Sequence, residues 1–169
     1  GRKEFIYYGD TIRIPEGAAV NIKNTSFSIA AELTIPGGGA EGMIITQGGW
    51  FGGFGLMLLD GKPTFAYSRS HYPEHKYKVA ATDIIPAGKH TLMMDFAYDG
   101  GGVGKGGTAT LLVDGKEVAK GRIEETVPTR FSMNEGLEIG RDAGMPVSKD
   151  YQIPFNFTGD IEKVIVRLQ

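Results

Sequence analysis

The stretch that decides the fold class is Phe96-Ala-Tyr-Asp99-Gly-Gly-Gly-Val-Gly-Lys105-Gly-Gly-Thr108-Ala-Thr-Leu-Leu-Val-Asp114-Gly115-Lys-Glu-Val-Ala-Lys-Gly-Arg122. An alternating segment enters a glycine-rich loop, a second alternating segment follows, and Asp114-Gly115 separates that segment from a third. Asp-Gly between apolar runs is a strong hairpin signal, because both residues tolerate the positive φ that a tight turn requires. The stretch therefore predicts three consecutive antiparallel strands.

The glycine-rich loop also matches a nucleotide-binding pattern, since Gly102-Val-Gly-Lys-Gly-Gly107 fits G-x-G-x-x-G. That pattern holds a pyrophosphate only where a helix begins directly after it. Residues 108–113 alternate and are rich in β-branched side chains, so a strand follows instead. A P-loop is excluded as well, because Gly106 stands where Ser or Thr must follow the lysine. We interpret the loop as a hairpin connection.

The rest of the chain repeats this pattern of short alternating segments between glycine-rich turns. Residues 24–35 are the clearest case, and one face of the segment collects its apolar side chains: Phe27, Ile29, Ala31, Leu33 and Ile35. Asp60-Gly61 predicts another tight hairpin. The pattern gives eleven or twelve strands and no helical period. It predicts an all-β, antiparallel jelly-roll β-sandwich.

Length and composition set further limits. The 169 residues suit one domain with a full core, and 18 basic against 20 acidic residues leave a net charge of −2. No basic patch for nucleic acid or an anionic membrane surface is visible, and no apolar run is long enough to span a bilayer. The chain has no cysteine, which excludes disulfides, thiolate metal sites and a cysteine nucleophile. We expect neither nucleic acid nor a membrane as a partner.

Glycine-rich blocks over nearly the whole chain resemble one known family. Besides the loop of residues 98–107, they are Ile14-Pro-Glu-Gly17, Ala30-Ala-Glu-Leu-Thr-Ile-Pro36, Gly39-Ala-Glu-Gly-Met-Ile-Ile45, Gly121-Arg-Ile-Glu124, Gly140-Arg-Asp-Ala-Gly-Met-Pro-Val147 and Phe155-Asn-Phe-Thr-Gly-Asp-Ile-Glu-Lys-Val164. Together they resemble the C-terminal β-sandwich region of large bacterial arylsulfatases of the type I sulfatase family. The resemblance implies a concanavalin A-like lectin/glucanase fold of the laminin-G-like kind.

The same resemblance implies a role beside a catalytic domain. Residues 1–169 would be a single β-sandwich domain excised from the C-terminal end of a larger sulfatase-like protein. It would pack on the sulfatase catalytic domain of the same polypeptide and frame its substrate entrance. A bacterial source leaves the compartment open between cytoplasm, periplasm and the secreted fraction. A type I sulfatase needs Cys or Ser within C/S-x-P-x-R, and no residue here fits that motif. We therefore expect no catalysis and no resident cofactor in this chain.

Two other catalytic patterns each lack a feature that their chemistry requires. Sandwich glycosidases need two carboxylates across the sugar bond, and their usual E-x-D-x-x-E strand motif does not occur here. His71-Tyr-Pro-Glu-His75 follows the H-x-x-E-H order of one zinc-peptidase class. That motif works on a helix, and Pro73 within it argues against a helix at this point. Neither pattern predicts an active site.

Aromatic residues give the second functional hypothesis, a carbohydrate-binding module for sulfated or neutral glycans. Glycines surround Trp50 and Phe51 in a loop, while Tyr67, His71 and Tyr72 cluster near Arg69. Aromatic faces stack on sugars, and Arg or His can hold a sulfate by charged hydrogen bonds. The alternative, that Tyr67 and Phe54 are core residues and Trp50 shields an edge or docks another domain, stays open.

The loop 141–151 offers oxygen ligands. Calcium takes carboxylates and backbone carbonyls in irregular loops, and here Asp142 and Asp150 could supply two carboxylates for a structural calcium ion. Arg141 and Lys149 flank them, so a loop held by local ion pairs is the alternative. No other metal ligands are expected.

Overall fold

The computed structural model describes residues 1–9, 11–131 and 135–169. Within these ranges it contains eleven strands and one short 3₁₀ turn, Pro73–His75. The strands are β1 Glu4–Tyr8, β2 Phe27–Ile35, β3 Gly42–Gly49, β4 Gly52–Leu59, β5 Lys62–Ser68, β6 Lys76–Ala80, β7 Gly88–Tyr98, β8 Gly107–Val113, β9 Lys116–Ile123, β10 Leu137–Ile139 and β11 Asp160–Leu168. Among the described residues, no helix has the length and apolar character that crossing a bilayer requires.

The strands form two antiparallel sheets. One has six strands in the order β1-β11-β2-β7-β8-β9, and the other has five in the order β10-β3-β4-β5-β6. β2 runs between β11 and β7, with Ala31 opposite Val164 on one side and Leu92 on the other. The predicted antiparallel β-sandwich is confirmed. The predicted hairpins are present too: Asp60-Gly61 and Asp114-Gly115 both adopt positive φ, between 51° and 84°.

The main core lies between the two sheets. The predicted inward face of β2, from Phe27 to Ile35, is buried against inward residues of β3, β4 and β5 such as Ile45, Leu56 and Phe65. Because side chains alternate along a strand, the intervening residues of the five-stranded sheet point to its outer face. The outer face of the five-stranded sheet must therefore be covered by another part of the chain or remain exposed to solvent.

A second apolar cluster covers part of this outer face. Met43, Met57 and Ala66 project from β3, β4 and β5, and Val147 and Tyr151 pack on them from the loop after β10. We call residues 140–159 the covering segment. Its backbone is tied to the sheet by hydrogen bonds that include Gly140 N–H to the Ile44 carbonyl and Met43 N–H to the Phe155 carbonyl. Strand β6, at the edge of this sheet, lies beside the covering segment, where Lys78 pairs with Asp150 at 3.3 Å.

The glycine-rich loop is a hairpin connection between β7 and β8, as predicted. The Asp99 N–H donates to the Gly106 carbonyl, and the Gly104 N–H donates to the Asn24 side chain at 2.8 Å. Gly107 is required here because a Cβ would lie 2.4 Å from the Phe96 ring. The strand after the loop confirms that the nucleotide-binding pattern is fortuitous.

Candidate functional site

A two-residue turn places the two aromatic residues Trp50 and Phe51 at one end of the five-stranded sheet. Strand β3 ends at Gly49 and β4 begins at Gly52, with Gly48 and Gly53 paired in register. Gly48 has φ +74°, and a Cβ there would lie 2.1 Å from the Gly52 carbonyl oxygen. Only glycine fits this close approach, so the turn is held tight. Phe51 is left 61% exposed.

The connection between β5 and β6 brings two more of the predicted residues to the same place. The His71 ring lies 5.8 Å from the Phe51 ring and 4.2 Å from the Tyr72 ring, measured between centroids. Tyr72 is 52% exposed. We call Trp50, Phe51, His71 and Tyr72 the aromatic surface. Four of the six predicted ligand-binding residues therefore share one end of the sheet.

Hydrogen bonds fix the loop that carries Tyr72. The Ser70 hydroxyl lies 2.6 Å from His75 Nδ1, and His75 Nε2 lies 3.1 Å from a Glu125 carboxylate oxygen. Tyr72 N–H donates to the Ser70 hydroxyl at 3.2 Å. Arg69, which the sequence predicts as an anion ligand, lies near the same carboxylate, with its Nε 4.0 Å from Glu125 Oε1. The Arg69 charge is thus turned toward Glu125 and partly compensated.

Tyr67 does not belong to this surface, which corrects the sequence-based hypothesis. Its side chain is only 5% exposed, and its ring packs on Phe65 and Phe131 within the core. Its hydroxyl accepts a hydrogen bond from the Val127 N–H at 2.9 Å, and burial raises the pKa of the phenol well above its usual range. Tyr67 lies two residues from Phe65 on the same face of β5. Side chains two residues apart on a strand point to the same face, and this alternation is the sequence signal that identifies Tyr67 as a core residue.

A cleft of about 370 Å³ opens beside Trp50, between β6 and the covering segment. The sequence hypothesis did not include it. Its walls combine aromatic rings and charges: Trp50, Pro73, Lys76, Tyr77, Lys78, Ser148, Lys149 and Asp150. In the register of the sheet, Lys76 is opposite Ser68 and Lys78 is opposite Ala66, whose side chain is part of the outer-face cluster. Both lysines therefore project from the outer face of β6 into the cleft.

Lys76 lies at the inner wall of the cleft. Its ammonium is 3.6 Å from the centroid of the Trp50 ring, which is the arrangement of a cation–π contact. The ammonium also donates to the Trp50 carbonyl and, at 2.7 Å, to the Ser68 hydroxyl. Burial lowers the pKa of Lys76 to about 8. The structure therefore holds a partly desolvated cation against an aromatic ring.

The two predicted calcium ligands have other partners. The Asp142 carboxylate is buried and accepts the Tyr151 hydroxyl at 2.7 Å and the Gly144 N–H at 3.3 Å. Asp150 accepts the Ser148 hydroxyl at 2.9 Å and pairs with Lys78 at 3.3 Å. Over the described ranges, no group of three or more His, Cys, Asp or Glu residues is arranged to hold a metal ion. In the structure, these local hydrogen bonds and the ion pair with Lys78 hold the loop 141–151.

Comparison with known proteins shows the fold. No family model matches the chain, and no curated protein matches its sequence. Among solved structures, it is similar to the CBM40 of the Ruminococcus gnavus IT-sialidase bound to α2,6-sialyllactose, with a TM-score of 0.60, 14% identity, and 98% of this chain and 90% of that chain covered. It is also similar to domains LG4-5 of the mouse laminin α1 chain, with a TM-score of 0.51, 15% identity, and coverages of 99% and 39%.

A third similar structure is the leech intramolecular trans-sialidase, with a TM-score of 0.55, 11% identity, and coverages of 98% of this chain and 26% of that chain. These similarities confirm the concanavalin A-like, laminin-G-like sandwich that the arylsulfatase resemblance implied. They give no support to the arylsulfatase part of that resemblance. At identities of 11–15%, they establish the class of fold and not the activity of this chain.

Proposed function

We propose that this chain is a non-catalytic carbohydrate-binding module that binds glycans at the aromatic surface and in the cleft beside Trp50. The observation that carries the proposal is the exposure of two aromatic rings, Phe51 at 61% and Tyr72 at 52%, next to a cleft that contains a third ring. Sugar-binding sites need apolar faces and a few placed polar groups, and this end of the sheet supplies both.

The local geometry favours binding over simple packing. The glycine turn at Gly48 and the Ser70–His75 hydrogen bond fix the backbone on both sides of the aromatic surface. Rings that are held open before a ligand arrives lose little conformational entropy when they stack on it. A glycan of two or three sugars could contact Phe51 and Tyr72 while one of its residues enters the cleft.

The comparisons support this function more than the accessory role. Two of the similar structures are of a CBM40 bound to sialyllactose, and each match covers nearly the whole of this chain. The role that we expected from the arylsulfatase resemblance, packing on a sulfatase catalytic domain, has no such support. A module of this kind can still be joined to a catalytic domain, and the carbohydrate site proposed here does not depend on which one.

The experiment is a glycan array with the purified chain, followed by titration calorimetry on each ligand that binds. We expect saturable binding that Phe51→Ala or Tyr72→Ala weakens at least tenfold, because each loses a stacking partner worth about 0.5–1.5 kcal/mol beyond its buried area. The matched controls are Ile84→Ala and Val103→Ala, which remove apolar side chains exposed at 61% and 68% elsewhere on the surface. If the chain binds no glycan on the array, the proposal is refuted, and docking against another domain is left as the role of this surface.

A further inference from the structure

We propose that the cleft beside Trp50 selects acidic saccharides, with Lys76 and Lys149 holding the negatively charged carboxylate or sulfate group of the sugar. The proposal rests on the carbohydrate-binding function and adds the chemical class of the ligand. It concerns residues of the cleft wall that the sequence hypothesis did not assign to binding, and it places the charged contact away from Arg69.

The charges that line the cleft are unbalanced. Three lysines face one aspartate, and Asp150 is already engaged with Lys78 at 3.3 Å. In the part of the chain that the structure describes, neither Lys76 nor Lys149 forms a salt bridge with a carboxylate. A cleft with an excess of two positive charges and an aromatic wall favours a ligand that carries a negative group on an otherwise stackable ring.

Lys76 is held in place for such a ligand. Its ammonium contacts the Trp50 ring at 3.6 Å and donates to the uncharged oxygens of Trp50 and Ser68. None of these partners carries a formal negative charge, so none of them neutralises the ammonium. Because the long side chain is already ordered, an arriving anion does not have to bear the entropy cost of fixing it.

The acid–base properties of Lys76 agree with this geometry. Burial lowers its pKa to about 8, which means that the charged form is poorly solvated in the empty cleft. A bound anion would stabilise the charged form, and by linkage its affinity must fall as pH rises through the pKa of Lys76. The other ionisable residues that line the cleft with Lys76 are Tyr77, Lys78, Lys149 and Asp150.

The test compares pairs of saccharides that differ only in charge. Trigalacturonate and 3′-sialyllactose are each titrated beside their methyl esters, and a sulfated chondroitin disaccharide beside the unsulfated one, both with the carboxylate methylated. We expect at least one acidic member to bind tenfold or more tightly than its neutral partner, and its affinity to fall between pH 7 and pH 9. The carboxylate pairs and the sulfate pair identify which group the cleft takes.

Two variants locate the contact. Lys76→Gln and Lys149→Gln should each remove most of the preference for the acidic member over its neutral partner. Lys149 is exposed, so Lys149→Gln remains informative if the loss of Lys76 disturbs the fold. Lys116→Gln, in the exposed β8–β9 hairpin of the other sheet, is the matched control and should bind as the wild type does.

Four outcomes bear on the proposal. A preference for acidic members that both cleft variants lose supports it. Equal binding of acidic and neutral members overturns the acidic selectivity and leaves the carbohydrate-binding function standing. No binding of any saccharide, with the chain folded by circular dichroism, overturns both. An acidic preference that is unchanged in both cleft variants also refutes the assignment, and it would move the charged contact to another surface.

Discussion

The hydroxyl of Tyr151 is expected to hold the covering segment on the outer face of the five-stranded sheet. It donates to the buried Asp142 carboxylate at 2.7 Å and accepts from the Val147 N–H at 2.8 Å. The ring stacks on Phe155 at 4.8 Å between centroids, and Phe at position 151 would keep this contact. The substitution Tyr151→Phe therefore removes one oxygen and two hydrogen bonds while preserving the apolar packing.

The magnitude follows from the two groups that lose their partner. A buried polar group left unpaired costs about 1–3 kcal/mol, and more when it is charged. One carboxylate oxygen and one amide are affected, so we expect Tyr151→Phe to lower the free energy of unfolding by about 3 kcal/mol at pH 7.5. Since the phenol favours the charged carboxylate, its loss raises the pKa of Asp142 further, and the destabilisation should be smaller at pH 5.

Urea denaturation measures the global effect, and amide hydrogen exchange measures the local one. The chain has a single tryptophan, Trp50, beside the cleft, so its fluorescence can be followed with far-UV circular dichroism in the same samples. The Val147 amide should exchange faster in the variant because its acceptor is gone. Tyr8→Phe, at a side chain 58% exposed, is the control and should change stability by less than about 0.5 kcal/mol.

A urea midpoint of Tyr151→Phe equal to that of the wild type, with unchanged protection of the Val147 amide, would contradict the expected loss of stability. That result would mean that apolar packing alone holds the covering segment. If the prediction holds, Tyr151→Phe should also lower the affinity for any ligand that binds in the cleft, because Ser148, Lys149 and Asp150 belong to the same segment.

Two further predictions concern stability. Burial raises the pKa of Asp142 from 3.8 to about 6, so the contribution of this carboxyl group to stability is fully present below about pH 4 and is lost as pH rises through 6. Urea midpoints measured from pH 4 to 7 should therefore decline less steeply in Asp142→Asn than in the wild type. An unchanged slope would contradict the assignment. Gly107→Ala should lower stability by about 1–3 kcal/mol, because the new Cβ would lie 2.4 Å from an aromatic carbon of β7. Gly37→Ala, which meets nothing within 4 Å, is its control, and equal melting temperatures of the two variants would refute the steric argument.

The fold was predictable because its signals are local. Alternation identifies the buried face of β2, and the Asp-Gly turns at 60–61 and 114–115 define their hairpins from the residues within them. The strands that the pattern predicts differ from the observed ones mainly at their ends: the segment 24–35 begins as a strand only at Phe27. Asn24 instead adopts φ +61° and bonds the glycine-rich loop, a long-range contact that no local pattern contains.

The candidate site was predictable in part. Glycines on both sides of Trp50 and Phe51 indicated an exposed aromatic turn, and the structure has one. Tyr67 is buried on the face of Phe65, which is the alternative that the sequence analysis left open beside the ligand-binding one. The cleft could not be predicted, since Lys76 and Lys149 are far apart in sequence and meet only when the covering segment folds over β6.

The covering segment and the sandwich core share few side chains, because the five-stranded sheet itself separates the two apolar clusters. Substitutions at sites without common partners tend to act additively on stability. The residues that shape the cleft can therefore diversify in evolution, or in a designed library at positions 148–150, with little effect on the core between the sheets. The sandwich serves as a constant frame that carries one wall of the cleft, and the loop 148–150 supplies the exchangeable wall opposite.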